Sequence, residues 1–105
     1  MGLYKDFRDF LKERVSETLW IHRKRLSLDL YGQCYEIGNG WQIDIRNDLS
    51  EDSQVETLMH EYAHILGRTP YHGRKFGISY SEVYKIWLAF VRMKDECRDT
   101  KSTSK

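Results

Sequence analysis

The stretch from Val55 to Gly67 constrains the fold more than any other part of the chain. Val55, Leu58, Met59, Tyr62, Ala63 and Leu66 recur at three- and four-residue intervals, the spacing of one helical face. Gly67 supplies a C-terminal stop. At the other end Ser53 and Glu56 have the spacing of a capping box, after a polar connection from Asn47 to Ser53. On this helix His60 and His64 lie roughly 130° or more from the centre of the stripe, at about 100° per residue. Whatever buries the stripe must leave another side of the helix lined by two imidazoles.

The remaining elements follow from changes of period. Leu3, Phe7, Phe10, Leu11, Val15 and Leu19 keep helical spacing, so a helix is expected from about Leu3 to Arg23. Leu26, Leu28 and Leu30 then alternate with Ser27, Asp29 and Tyr31, as in a half-buried strand. Cys34 to Ile37 and Trp41 to Arg46 flank Gly38-Asn39-Gly40, a hairpin signal, with Trp41, Ile43 and Ile45 on one face. Phe76, Tyr80, Val83, Trp87 and Phe90 predict a last helix from about Gly73 to Glu96, with a restart at Ser79 as the weaker option. The order is α-β-β-β-α-α: an α+β domain with a small, mainly antiparallel three-stranded sheet on helices. Residues 1–97 read as one domain, and Arg98 to Lys105 as a polar, frayed tail.

Composition narrows the function classes. A chain of 105 residues that is 40% hydrophobic and 13% aromatic has room for one small core, and a bound metal would help to stabilise it. With 17 basic and 16 acidic residues, the charge balance gives no footprint for nucleic acid; the densest cluster, His22-Arg23-Lys24-Arg25, reads as a solvated helix end. Early charges exclude a signal peptide, no apolar run approaches the ~20 residues of a membrane span, and a cytoplasmic location is expected. Cys34 and Cys97 fit no CxxC pattern and read as packing residues, as do Trp20, Trp41 and Trp87.

The histidine pair carries the chemistry. Four residues apart on a helix, the imidazoles of His60 and His64 project from nearly the same side, one turn apart, and can reach one tetrahedral Zn²⁺. Glu61 is angularly displaced, which suits a general base beside a metal-activated water. A hydrolytic zinc site needs a third protein ligand and an open position. His72, Glu82 and His22 compete for it. His72 is favoured, because the connector after Gly67 is long enough to turn back and Gly73 permits close backbone approach. Tyr80 leads the candidates for a donor to the developing oxyanion, ahead of Tyr84, Arg68 and Tyr71.

His60-Glu61-Tyr62-Ala63-His64 followed by His72-Gly73-Arg74-Lys75-Phe76 resembles the SprT-like zinc metallopeptidases and other minimal zincins. In those, HExxH precedes a third histidine in an H-G-x-x-F/W context that opens the next helix. Glu56-Thr57-Leu58-Met59 is similar to the family's lead-in, and the resemblance covers roughly residues 41–90. It implies a minimal zincin-like fold, Zn²⁺ on His60, His64 and His72, Glu61 as the base, and a peptide or protein substrate. Such a substrate would pair alongside Trp41 to Arg46. The gap from His64 to His72 is shorter than is typical of that family, and no cysteine-rich ribbon follows within these residues. His64-Ile65-Leu66-Gly67 also opens the metzincin pattern, but Pro70 stands where its third histidine belongs and Met93 sits in a helical stripe, so this ranks lower. Two other functions remain open: a non-catalytic, zinc-stabilised interaction module, and a zinc hydrolase of a non-peptide substrate.

Overall fold

The computed structural model describes residues 3–27, 29–69 and 71–103, with side chains as far as residue 96. Its elements are α1 (Leu3–Lys12), β1 (Thr18–Lys24), β2 (Gly32–Ile37), β3 (Gly40–Arg46), α2 (Glu51–Gly67) and α3 (Arg74–Thr103). The α+β class and the α-β-β-β-α-α order are those expected, although two elements lie elsewhere than the periodicity placed them.

The first helix stops at Lys12, and Thr18–Lys24 is a strand rather than a continuation of it. Leu19 fits both readings: it stands four residues after Val15, but it also alternates with Ile21. Thr18, Trp20 and Ile21 favour extended backbone, and pairing with β3 decides the matter. The basic cluster at His22 to Arg25 therefore belongs to the end of a strand, not of a helix. The strand expected from Leu26 to Leu30 does not form. Residues 25–27 have no regular structure, Leu30 N–H donates to the Ser27 carbonyl at 3.0 Å in a turn, and Leu28 lies outside the described residues.

The sheet has the order β1-β3-β2. Across the turn at Gly38, whose φ is 60°, β2 runs antiparallel to β3, while β1 runs parallel to it from Thr18↔Gly40 to Lys24↔Arg46. The sheet is thus mixed rather than mainly antiparallel, and β3 is its central strand. Leu19 and Ile21 join Ile43 and Ile45 on the inner face, against Tyr4, Phe7 and Leu11 of α1, the buried residues of α2, and Val83 and Phe90 of α3. Phe7 meets Trp87 edge-on at 4.8 Å and Phe90 at 5.2 Å, which locks α1 against α3. Trp41 and Trp87 are half-buried against this core, but Trp20 is 38% exposed on the outer face and is not a core residue. Cys34 is half-buried, consistent with packing; the side chain of Cys97 lies outside the description.

The outer face of the sheet holds a buried carboxylate. Asp44 is fully enclosed and accepts hydrogen bonds from Gln33 and Gln42 at 2.8 Å and from the Tyr35 hydroxyl at 3.2 Å, with Lys24 at 3.9 Å. Burial alone would raise its pKa, but these donors outweigh burial and hold it below the ordinary 3.8. A carboxylate with a lowered native pKa stabilises the fold above its ordinary pKa and loses that contribution as pH falls through the native value. Urea unfolding should therefore show stability dropping below about pH 4. Asp44→Asn should flatten that acid limb and lower stability at pH 7, because an amide –NH₂ then faces other donors. An unchanged acid limb in the variant would remove Asp44 from this role.

Helix α2 begins three residues before the expected capping box. Ser50 is the N-cap, accepting from Ser53 N–H at 3.3 Å, and Glu51 accepts from the Tyr4 N–H at 3.0 Å. Leu66 is 46% exposed and its place in the core is taken by Ile65, because the sheet and α3 bury the helix from two directions. Gly67 serves helix approach rather than a positive φ. A Cβ there would meet Ser79 Oγ of α3 at 2.5 Å, and it is Arg68, at φ 52°, that turns the chain out of the helix. The last helix shows no restart at Ser79, and it continues through Thr103, across most of the residues expected to be a frayed tail. Among the described residues no helix is long and apolar enough to cross a membrane.

Candidate metal centre

Three imidazoles converge where α2 ends and α3 begins. One ring nitrogen from each of His60, His64 and His72 lies within 4.8 Å of the other two. His72 Nε2 is 3.1 Å from His60 Nε2 and 3.2 Å from His64 Nε2. A tetrahedral ion with bonds of ~2.0–2.1 Å sets its nitrogens about 3.3 Å apart, so this spacing suits a shared cation. A single N–H on His72 could satisfy only one of these two contacts. Lone pairs converging on a cation account for both.

The local chain explains the convergence. Because Arg68 takes the left-handed conformation, its N–H and that of Thr69 return to the last carbonyls of α2, and the connector folds back over the helix end. This turn also brings the Thr69 carbonyl to 2.8 Å from His64 Nδ1, which donates to it. The proton is thereby held on Nδ1 and the lone pair on Nε2, aimed into the cluster. Phe76, one turn into α3, forms the wall: its ring centroid is 4.9, 4.6 and 4.9 Å from those of His60, His64 and His72. Burial, followed by the neighbouring His64 and His72, lowers the His60 pKa and favours the neutral, ligating form.

Of the three candidates for the third position, the structure brings only His72 into the cluster. Glu82 is exposed and paired with Lys85 at 3.4 Å, and His22 projects from β1. Gly73 is not needed for close approach, since a Cβ there would meet nothing within 4 Å. Pro70, where a metzincin would carry its histidine, lies outside the described residues, and Met93 is an exposed residue of α3.

Glu61 is 7% exposed and is wedged beside the cluster, between Gly32 and Cys34. Burial pushes its carboxyl up to about 7, against the opposing hydrogen bond from Cys34. Burial and then Glu61 push the Cys34 thiol up to about 12, so it stays protonated. Two clefts meet at Gly32, His60 and Glu61. The first, of ≈ 550 Å³, runs under the loop at Asp29 to Tyr31 and is closed by Tyr80. The second, of ≈ 540 Å³, lies between β2 and the connector, with Trp41, Arg68 and Thr69 in its walls. Tyr80 is half-buried and stacked on Phe76 at 5.9 Å. Tyr71 and Tyr84 line neither of these two clefts, and Arg68 pairs with Glu17 at 3.0 Å.

Two features were missed in the sequence. The Thr69 carbonyl is a backbone atom and carries no side-chain signal. Gly32 did have one, an isolated glycine before a strand. A Cβ at Gly32 would stand 2.5 Å from Thr57 Cγ2 and 3.4 Å from Glu61 Cγ, so this glycine lets β2 lie directly on α2 beside the site. Gly32→Ala should cost about 1–3 kcal/mol by overpacking. Thr57→Ser, which removes the nearest clashing methyl, should recover part of that loss in urea unfolding, the remainder coming from the Asp44 carbonyl oxygen 3.0 Å from the same Cβ. Failure of the second substitution to rescue the first would mean the contact is not the cause.

The edge available to an extended chain also differs from expectation. Trp41 to Arg46 is the central strand, with β1 and β2 pairing on its two sides; the free edge beside the cluster is that of β2. Comparison with protein-family models, curated proteins and solved structures gave no match. The three histidines form a cluster able to hold a metal ion, and that assignment rests on the chain's own geometry.

Proposed function

We propose that this chain is a zinc-dependent metallopeptidase of the minimal zincin kind, in keeping with its SprT-like motif. The observation that carries the reading is the joint placement of three converging imidazole nitrogens and a buried carboxylate at the meeting of two open clefts. Three nitrogen ligands are the set of a catalytic zinc site, whereas a structural site is closed by four. Among the described residues the cluster has three, and this favours catalysis over a purely stabilising role.

Zinc bound there supplies Lewis-acid polarisation of a water and of the scissile carbonyl. The chain does the rest. His60, His64 and His72 would hold the ion through the Nε2 atoms that converge here, and the Thr69 carbonyl fixes the His64 tautomer. A carboxylate oxygen of Glu61 takes the proton of the attacking water and delivers it to the amide nitrogen as the C–N bond breaks, which returns Glu61 to its starting state. The Tyr80 hydroxyl, kept protonated by burial and then by Glu56 and Tyr84, donates to the carbonyl oxygen as negative charge develops on it. The substrate backbone lies along the free edge of β2.

The test is to load the protein with one equivalent of zinc, incubate it with a peptide library and identify products by mass spectrometry. Cleavage that a chelator abolishes and added zinc restores is expected. Full zinc occupancy with no peptide cut would overturn the reading in favour of an interaction module or a non-peptide hydrolase.

A further inference from the structure

The two clefts differ in charge. The one closed by Tyr80 carries three carboxylates, Asp29, Glu56 and Glu61, and no lysine or arginine. Glu61 has its task in the hydrolysis, and Glu56 enters it only through the charge that raises the Tyr80 pKa; Asp29 has no task there. Asp29 receives only the Ser27 hydroxyl, at 3.2 Å, and no cation pairs with Asp29 or Glu56 among the described residues. Glu56 is exposed one turn before His60, so its carboxylate overlooks the same opening as the metal cluster. Leu30, Tyr31 and Tyr80 supply apolar and aromatic wall, and Gly32, Thr57 and His60 complete the lining on the α2 side.

From this we infer that Asp29 and Glu56 select a lysine or arginine side chain next to the scissile bond. The inference deepens the peptidase reading and rests on it. A peptide carbonyl at His60 and Glu61 sets a neighbouring residue about 3.3 Å along an extended chain, so its side chain enters the adjoining cleft. A long cationic side chain matches what it meets there. Its aliphatic stem packs on Leu30 and the two tyrosine rings, and its charged head reaches the two unpaired carboxylates. An acidic side chain would meet like charges without compensation, so the cleft discriminates by repulsion as well as attraction. The opposite cleft has two carboxylates, Glu36 and Glu61, but sets Arg68 among them, so its excess of negative charge is smaller.

The zinc-loaded chain, given an equimolar library of unstructured peptides, should cut with lysine or arginine enriched about 10-fold or more over glutamate at one position flanking the bond. Glu56→Lys should invert that preference toward aspartate and glutamate, and Asp29→Asn should weaken it. Cleavage without a basic preference, or a preference unmoved by Glu56→Lys, overturns the inference while leaving the peptidase standing. Absence of any cleavage overturns the peptidase reading itself, and binding then decides the cleft's role. Fluorescence anisotropy with zinc-loaded Glu61→Gln protein should show an arginine-containing decapeptide held about 10-fold tighter than its glutamate counterpart, a difference abolished by Glu56→Lys. Equal binding of the two peptides overturns the inference.

Discussion

Glu61→Gln should reduce peptide hydrolysis by about 10²–10⁴-fold, the usual contribution of a positioned general base, while zinc stays bound at one equivalent. The two halves of this expectation come from different parts of the geometry. Zinc retention follows because the converging nitrogens belong to His60, His64 and His72, and the carboxylate is not among them. Loss of rate follows because a neutral amide cannot take a proton from water. Glutamine also has nearly the same shape, so it can occupy the space between Gly32 and Cys34 without disturbing α2. The loss should appear in kcat with KM nearly constant, the signature of an interaction made chiefly in the transition state. Steady-state assays with a quenched-fluorescent peptide taken from the cleavage map would separate the two. Wild-type rates in the variant would remove Glu61 from the mechanism, and loss of zinc would make it a structural neighbour of the site instead.

The parts of the site that the sequence shows are those that one helix fixes locally. His60, Glu61 and His64 take their directions from helical rotation alone, and the next histidine in the chain was the natural third partner. The connector geometry was not legible, because it depends on Arg68, a residue with no special tolerance for the left-handed conformation. The same division separates the fold elements. The hairpin at Gly38 to Gly40 carries local turn chemistry and was visible. By contrast, β1 is defined by pairing with β3 some twenty residues away, and its own residues continue the stripe of α1 far enough to disguise the break. The alternation of Leu26, Leu28 and Leu30 misled in the opposite sense. There the backbone is bound to Arg46, whose guanidinium donates to the Ser27 carbonyl and whose N–H donates to that of Tyr31 at 2.8 Å. Burial around α2 was underestimated for a similar reason. A single stripe describes a helix packed on one side, whereas the sheet and α3 enclose this one from two, leaving Gln54, Thr57, Glu61 and His64 buried as well.

His72→Ala should weaken zinc binding by more than the ~10–100-fold that loss of an outer-shell partner costs, because it removes a ligand outright. His72 is the exposed member of the cluster and the one contributed from outside α2. An ion held by all three histidines therefore ties the connector leading into α3 to the helix that precedes it. That tie should be measurable as stability. At a zinc concentration about 100-fold above Kd, binding adds about 2.7 kcal/mol to unfolding. For a chain of this size each kcal/mol moves Tm by roughly 4–8 °C, so the wild type should melt at least about 10 °C higher with zinc than with a chelator. His72→Ala should lose most of that increment while melting nearly as the wild type does without metal, since the side chain is exposed and its ring contacts are with His60, His64 and Phe76. Glu82→Ala is the matched control. Its carboxylate is exposed and engaged with Lys85, so both zinc affinity and the zinc-dependent shift should survive. The reverse pattern, with the shift lost in Glu82→Ala and kept in His72→Ala, would reassign the third ligand. It would also require α3 to turn a different face toward α2 than the one on which Phe76 now backs the three imidazoles.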